Sequence, residues 1–210
     1  MNKPVIPTDR EYRYLNNPDL KVEKREESDA YMVRGTAVKF NELSKNIGWF
    51  REKFERGAFD DCMEQDVVAL FNHNINAILA RTISKTLKIW QDDAGLHYEF
   101  DAPDNTAGRD LVVSLQRGDV QHSSFGFTIQ DEKWEEDEEV GEIRTVLKVK
   151  RLYDVSPVVF PAYPQSRSEV SKRSYDEWKQ ERDGTDTETE KANMETEILE
   201  QELEVLRLQQ

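Results

Sequence analysis

Short runs of apolar residues, many of them alternating with polar ones, recur between residues 30 and 160. A period of two is typical of β-strands that bury one face. A continuous apolar run at 67–71 predicts a strand buried on both faces. Alternation at 86–90 and at 96–100, on either side of a turn, predicts a hairpin. Further strands are predicted at 30–40, 123–129, 143–152 and 155–160.

Helical signals are fewer. The clearest helix begins where Asn105 or Thr106 can cap a segment that runs to Arg117 and ends at Gly118. A shorter helix is predicted at 57–63. The pattern therefore predicts a mostly β protein with helices, of the α+β class.

Three segments interrupt the strand pattern. Residues 1–28 are polar and punctuated by prolines, which predicts an N-terminal arm with at most one short strand. Residues 41–57 are interpreted as a loop rich in polar and aromatic side chains. The acidic run at 135–139 is interpreted as a turn, because it is too charged to be buried.

The composition becomes polar and acidic after Pro164, which predicts a charged helical tail at 166–210. Helices are predicted in it at 166–183 and at 192–208, where leucine and isoleucine follow a four-and-three spacing. Two turns of such a seam do not make a stable coiled coil alone. The tail is either a frayed amphipathic segment or a docking helix for a partner or a second copy of the chain.

The charge balance limits the partners. The formal net charge is −14, with 43 acidic and 29 basic side chains. Because affinity for phosphate comes from Lys and Arg, we expect neither nucleic acid nor an anionic membrane as a partner. No apolar run approaches the ~18 residues of a membrane span, and residues 1–10 lack the apolar core of a signal peptide.

The thiol and imidazole content narrows the chemistry. Cys62 is the only cysteine, so no internal disulfide can form and an intracellular protein is indicated. One Cys and three His offer no cluster for a structural zinc site. We therefore expect no metal and no cofactor.

Three residues on separate β segments are candidates for nucleophilic catalysis. His73 follows the apolar run at 67–71, Ser124 lies beside Gly126, and Asp154 interrupts an apolar stretch where burial without a partner would be costly. Each has a plainer interpretation: a surface histidine, a strand serine near a bulge, and an exposed or ion-paired carboxylate. By themselves these residue types predict no more than a mostly β intracellular domain.

A series of short segments resembles the tailed-phage prohead (capsid maturation) protease family. It includes Ala69-Leu70-Phe71-Asn72-His73 and Ser124-Phe125-Gly126-Phe127. Further matching segments lie at 34–38, 57–59, 79–82, 95–100, 108–110, 117–120, 152–155 and 160–163. The segments follow the family's order over residues 30–165, which is far more specific than any one motif.

The resemblance implies a fold and a site. The family is similar to the herpesvirus assemblins, so a β-barrel-like core surrounded by helices is expected over a protease domain at 29–165. It implies Ser124 as the nucleophile, His73 as its base and Asp154, where relatives usually carry a glutamate, as the third member. Ser123 is expected on the opposite face from Ser124, since strand side chains alternate.

The function implied is a serine endopeptidase that cleaves capsid or scaffold protein segments, and itself, inside the assembling prohead in the host cytoplasm. The assemblin resemblance also suggests a homodimer. It assigns no oxyanion donor, for which Lys150 and Arg151 are conceivable. The alternative is a catalytically inactive, scaffold-like assembly protein with the same fold, which the acidic tail would suit.

Overall fold

The computed structural model describes residues 9–16, 19–160 and 171–182. The chain divides into two compact units, Met1–Arg167 and Ser168–Gln210. In the second unit, residues 171–182 form a helix, α2, inside the segment for which the sequence predicts one. The helix predicted at 192–208 lies outside the described residues.

Strands dominate the described part of the first unit, as the sequence predicts. The strands are β1 (Glu11–Asn16), β2 (Lys21–Lys24), β3 (Tyr31–Lys39), β4 (Phe50–Phe54), β5 (Val68–Leu70), β6 (Ile78–Arg81), β7 (Leu87–Gln91), β8 (Gly95–Asp101), β9 (His122–Asp137) and β10 (Gly141–Val158). In the same described part of the first unit, the one α-helix, α1, spans Thr106–Arg117, and a 3₁₀ turn spans Asp60–Cys62. The α+β class is confirmed.

The strands form two sheets. The larger has the order β1-β9-β10-β5-β6, and β4 pairs with a different part of β10. β9 and β10 make a long antiparallel hairpin, whereas β4 and β5 run parallel to β10. The smaller sheet has the antiparallel order β2-β3-β8-β7. β10 is thus the strand around which the larger sheet is organised.

The expected barrel is not seen as a closed ring among the described strands. The two sheets are joined by one bridge, between Phe40, which follows β3, and Phe54, which ends β4. Beyond this bridge Asn41 has a φ of 55°, and its N–H donates to the Phe54 carbonyl at 2.8 Å, so the chain stays hydrogen-bonded to β4 without forming a strand. The barrel-like core consists instead of two open sheets that share one core.

Aromatic side chains fill the centre of this core. The rings of Phe54, Phe59, Phe125 and Phe127 are buried, and the contacting pairs lie 5.0–6.0 Å apart. Each such buried ring stabilises the fold by about 2–3 kcal/mol. Because Phe125 and Phe127 belong to β9, the core fixes the backbone on which Ser124 lies.

The helix α1 is bounded as the sequence predicts. The Asn105 side chain accepts a hydrogen bond from the Gly108 N–H at 2.9 Å, and so satisfies one of the free donors at the helix start. Gly118 adopts a φ of 79°, a left-handed conformation that glycine reaches without strain, and ends the helix. Leu111 and Val112 face the core.

Several strand predictions are wrong. Residues 1–28 hold two strands, β1 and β2, rather than at most one. β4 lies inside the predicted loop at 41–57, and β6 was not predicted. β4 escapes the sequence pattern because one of its three buried side chains is Glu52, a residue type rarely found inside without partners.

The β9–β10 hairpin is also longer than predicted. The two strands expected at 143–152 and 155–160 are one strand, since a register shift between Leu152 and Asp154 keeps the chain in the sheet. The acidic run predicted as a turn contributes its first residues to β9, and the turn itself lies at 138–140. Its carboxylates remain near solvent because this end of the hairpin is exposed.

Five charged side chains form what we call the β1 charge cluster: Glu11, Arg13, Glu52, Glu132 and Arg144. Arg144 donates to Glu11 at 2.9 Å, to Glu52 at 3.1 Å and to Glu132 at 2.6 Å. Arg13 donates to Glu11 and to Glu52, each at 2.6 Å. Buried ions of this kind require such pairing, and the cluster links β1 to β4, β9 and β10.

Ionisation within this cluster is strongly biased. Burial raises the pKa of Glu11, but the charges and hydrogen bonds of Arg13 and Arg144 outweigh it and lower that pKa to about 2. Burial likewise opposes the charge of Arg144, yet Glu11 and Glu52 raise its pKa above the ordinary arginine value. Glu11 and Arg144 are therefore both charged at neutral pH.

Candidate active site

The two adjacent serines of β9 point to opposite faces of the sheet. The Ser123 hydroxyl lies 2.7 Å from the Tyr98 hydroxyl, and both side chains are buried in the core. The Ser124 hydroxyl faces the other way, toward His73. Strand alternation thus separates the two serines as expected.

His73 lies in the loop that follows β5. It and Asn72 adopt φ values of 57° and 54°, in a left-handed region that costs about 1–3 kcal/mol for residues other than glycine. Two hydrogen bonds hold the loop against the end of β10: the Asn72 N–H donates to the Pro157 carbonyl at 3.1 Å, and the Asn72 side chain accepts from the Val159 N–H at 2.9 Å. The imidazole is thereby aimed at β9 and β10.

Asp154 lies on β10, directly across the ladder from Gly126 of β9. Its carboxylate is 1% exposed. A β-carbon built on Gly126 would lie 2.6 Å from the Asp154 carboxylate oxygen, so only glycine leaves room for it. The register shift after Leu152 and the glycine together bring the carboxylate to the histidine.

The three side chains predicted for the site are brought together in one row. His73 Nε2 lies 2.6 Å from Ser124 Oγ, and His73 Nδ1 lies 2.5 Å from Asp154 Oδ2. In the tautomer that carries the ring proton on Nδ1, this N–H donates a hydrogen bond to Asp154, and Nε2 can accept the serine proton. The aspartate side chain is thus long enough to reach the ring.

Two further side chains bind the carboxylate. Ser156 donates to Asp154 Oδ2 at 2.7 Å, and Arg10 donates to Oδ1. Burial raises the pKa of Asp154, but the hydrogen bond and charge of His73, with Arg10 and Ser156, outweigh it and hold that pKa below its usual range. The carboxylate is therefore ionised at neutral pH, as an acceptor for the His73 N–H must be.

Sequence reasoning missed the contribution of β1. Arg10 lies in the segment interpreted as an arm, and its guanidinium packs 4.8 Å from the centre of the Tyr12 ring and 4.5 Å from that of Tyr153. The edge of Tyr12 also contacts His73, with ring centres 4.5 Å apart. The available signal was the alternation of charged and aromatic residues at 11–14, which fits a strand with two different faces.

Arg151, a cation considered from the sequence, is engaged elsewhere. Arg151 donates to the Asp66 carbonyl at 3.2 Å and stacks over Tyr153, at 5.7 Å from the ring centre. Asp154 is paired with Arg10 and His73 rather than with Lys150 or Arg151. Neither cation contacts the candidate triad through a hydrogen bond or ion pair seen in the described residues.

The described residues offer neither a metal site nor a membrane-spanning helix. No group of three or more His, Cys, Asp or Glu side chains there is arranged to hold a metal ion. No helix among them is long and apolar enough to span a membrane. The single thiol, Cys62, is buried, and burial raises its pKa to about 11, so it is a poor nucleophile.

The fold and this site are those of a strand-rich protein with a Ser–His–Asp row that includes residues of two interior strands, β9 and β10, of its larger sheet. A family model of the caudovirus prohead serine proteases matches residues 18–181. Because the match covers well over half of the chain, the protein belongs to this family. The resemblance described from the sequence is confirmed.

Solved structures similar to this chain include one of a phage protein. The solved structure of the bacteriophage T4 capsid assembly protease, gp21, is similar over 73% of this chain and 98% of its own, with 12% identity and a TM-score of 0.47. No curated protein matches the chain.

Proposed function

We propose that the chain is a serine endopeptidase in which Ser124 is the nucleophile, His73 the general base and Asp154 the residue that orients the imidazole. The observation that carries this proposal is the position of one imidazole between a hydroxyl at 2.6 Å and a buried carboxylate at 2.5 Å. Membership of the prohead serine protease family supports the same reaction class.

The proposed reaction is acyl transfer. Ser124 Oγ attacks the scissile carbonyl carbon while His73 Nε2 takes the hydroxyl proton, and Asp154 stabilises the resulting imidazolium through Nδ1–H. The imidazolium then gives its proton to the leaving amine, so that the C–N bond breaks and an acyl-enzyme remains. Water, deprotonated by His73, attacks the acyl-enzyme and releases the new carboxylate together with the free serine.

The proposed substrates are the N-terminal extension of the major capsid protein or a separate scaffold protein, and the protease itself. We place this activity in the assembling prohead in the host cytoplasm, with a protease domain at 29–165, an arm at 1–28 and a tail at 166–210. The tail would direct the enzyme into the shell and be trimmed by self-cleavage. A homodimer is part of the same proposal.

Burial of the nucleophile is the observation that favours the alternative, an inactive scaffold-like assembly protein. Ser124 is 0% exposed, whereas a working nucleophile must be reached by substrate. The two functions differ in what Ser124→Ala does. A protease loses cleavage of the capsid or scaffold protein, and a scaffold keeps assembly unchanged.

The test uses the full chain co-expressed with its capsid protein and, separately, purified protein treated with a fluorophosphonate. We expect the reagent to be found on Ser124 by mass spectrometry, and Ser124→Ala to abolish both labelling and capsid-protein cleavage. Ser123→Ala is the matched control, since that hydroxyl faces Tyr98, and should retain both. Cleavage that persists in Ser124→Ala would refute the assignment.

A further inference from the structure

β1 lies directly beside the candidate nucleophile. It pairs antiparallel with β9, so that Tyr12 lies opposite Gly126 and Tyr14 opposite Ser124. The Ser124 residue is 0% exposed to solvent, and Asp154 is 1% exposed. A substrate carbonyl must come within about 3–3.5 Å of the attacking oxygen. The residues that bury Ser124 therefore have to move before a substrate can react.

The backbone of β1 already brings a carbonyl to the hydroxyl. The Arg13 carbonyl oxygen lies 2.8 Å from Ser124 Oγ. Residues 122–127 of β9 pair with β10 along one edge and with β1 along the other. An extended peptide that adds to a sheet edge by main-chain hydrogen bonds could therefore reach this part of β9 only in the position of β1.

Two contacts from this segment oppose the reaction. A serine hydroxyl has one proton, and donating it to the Arg13 carbonyl withdraws it from His73. The Arg10 guanidinium binds the carboxylate that must stabilise the imidazolium, and a second cation there weakens that stabilisation. While β1 is in place, the access of a substrate to Ser124, the position of the Ser124 proton and the Arg10 charge at Asp154 are therefore all unfavourable for the reaction.

Displacement of this segment would leave the net charge of the buried β1 charge cluster unchanged. Glu11 and Arg13 are bonded to each other at 2.6 Å, so they remove one negative and one positive charge together. Arg144 keeps Glu52 and Glu132 as partners, and the net charge of the remaining cluster is unchanged. β1 precedes residue 18, where the family match begins.

We propose that residues 9–16 form an inhibitory strand that occupies the position of an extended substrate segment on β9. Displacement of this strand exposes Ser124 and frees its proton for His73. The segment that replaces it is an extended stretch of a substrate protein, paired with residues 122–127. This inference rests on the proposed role of Ser124 as nucleophile.

The test is the rate at which a fluorophosphonate labels Ser124 in the full chain. Arg10→Ala removes a buried, charge-assisted contact of the strand and should raise the labelling rate about tenfold. If Arg10 instead supports Asp154 in the active form, the same substitution lowers the rate. The matched control is Arg109→Ala, which removes an exposed ion pair between Arg109 of α1 and Asp104. It should be labelled at the wild-type rate.

Hydrogen exchange on the unsubstituted chain gives a second measurement that does not depend on a variant. After labelling of Ser124, the amides of β1 should lose protection, while those of β10 that pair with β9 keep theirs. Amides of β1 that remain protected in the labelled protein would overturn the inhibitory strand.

The two proposals fail differently. Equal labelling rates in the wild type and Arg10→Ala, or a slower rate in Arg10→Ala, refute the inhibitory strand and leave the protease intact. If neither protein is labelled at Ser124, the proposed nucleophile itself is wrong, and the inhibitory strand with it.

Discussion

Two groups of buried polar side chains lie on opposite faces of the larger sheet, and β1 with the preceding Arg10 contributes to both. On one face, Arg10 and Tyr12 reach the His73–Asp154 pair. On the other face, Glu11 and Arg13 enter the β1 charge cluster. Neighbouring residues of one short strand thus serve two different environments, because strand side chains alternate.

The two groups differ in what their protons can do. In the β1 charge cluster every carboxylate is bound by a guanidinium, which does not release its proton in proteins. In the site, an imidazole that can both donate and accept stands between a carboxylate and a hydroxyl. The first arrangement can stabilise a fold but cannot transfer a proton, whereas the second can.

The largest expected effect is on activity alone. His73→Ala removes the proposed base, and the rate of Ser124 acylation and of the proposed capsid-protein cleavage should fall by about 10⁴–10⁶. The midpoint of thermal unfolding should change little, because the ring is partly exposed and lies in a strained loop. Fluorophosphonate labelling and differential scanning fluorimetry measure the two quantities.

His97→Ala is the control for that substitution. His97 lies in the smaller sheet, 3.1 Å from the Thr36 hydroxyl, and has no contact with Ser124 among the described interactions. It should label at the wild-type rate. Equal rates in His73→Ala and the wild type would place the chemistry elsewhere.

In the β1 charge cluster a substitution is expected to lower the stability of the fold. Arg144→Ala leaves Glu11, Glu52 and Glu132 without their shared partner and should destabilise the protein by about 3–5 kcal/mol. Urea unfolding measures this, and the exposed Arg109→Ala should stay within about 0.5 kcal/mol of wild type. An Arg144→Ala protein as stable as wild type would mean that the cluster does not hold the fold together.

The comparison also explains what the sequence could predict. The candidate site was predictable because its three residues stand in short segments whose order resembles a known family, and His73 follows a strongly apolar strand. The β1 charge cluster was not, because its members are far apart in the chain and each resembles a surface residue when taken alone. Only the folded sheet brings Glu52 and Arg144 together.

The same reason accounts for the misplaced strands. β4 carries Glu52 inward, and β10 carries Asp154 inward, so neither follows the simple apolar alternation. Buried charges with distant partners break the local pattern on which strand prediction depends. The helix α1 was predicted correctly because its cap and its terminal glycine are local signals.

A glycine links the sheet to the site and gives an intermediate effect. In Gly126→Ala the new methyl group would lie 2.6 Å from Asp154 Oδ1 and 2.7 Å from the Arg10 guanidinium. The carboxylate must shift away, which should lower the acylation rate by about 10²–10³, a typical penalty for misplacing a group by 1 Å or more. A wild-type rate in this variant would show that the Asp154 position is not critical.

The smallest expected effect is a pH-dependent change in stability at Glu11 of the β1 charge cluster. The pKa of Glu11 is about 2, below its ordinary value, so folding favours its ionised form. Its stabilisation is complete above about pH 4.5 and is lost as the pH falls toward 2. Glu11→Gln should therefore be less stable than wild type at pH 7 by about 2 kcal/mol, with the difference shrinking through that window. Urea midpoints at pH 7, 4 and 3 measure this, and a difference that stays constant across them would mean that the Arg13 and Arg144 contacts do not hold Glu11 ionised.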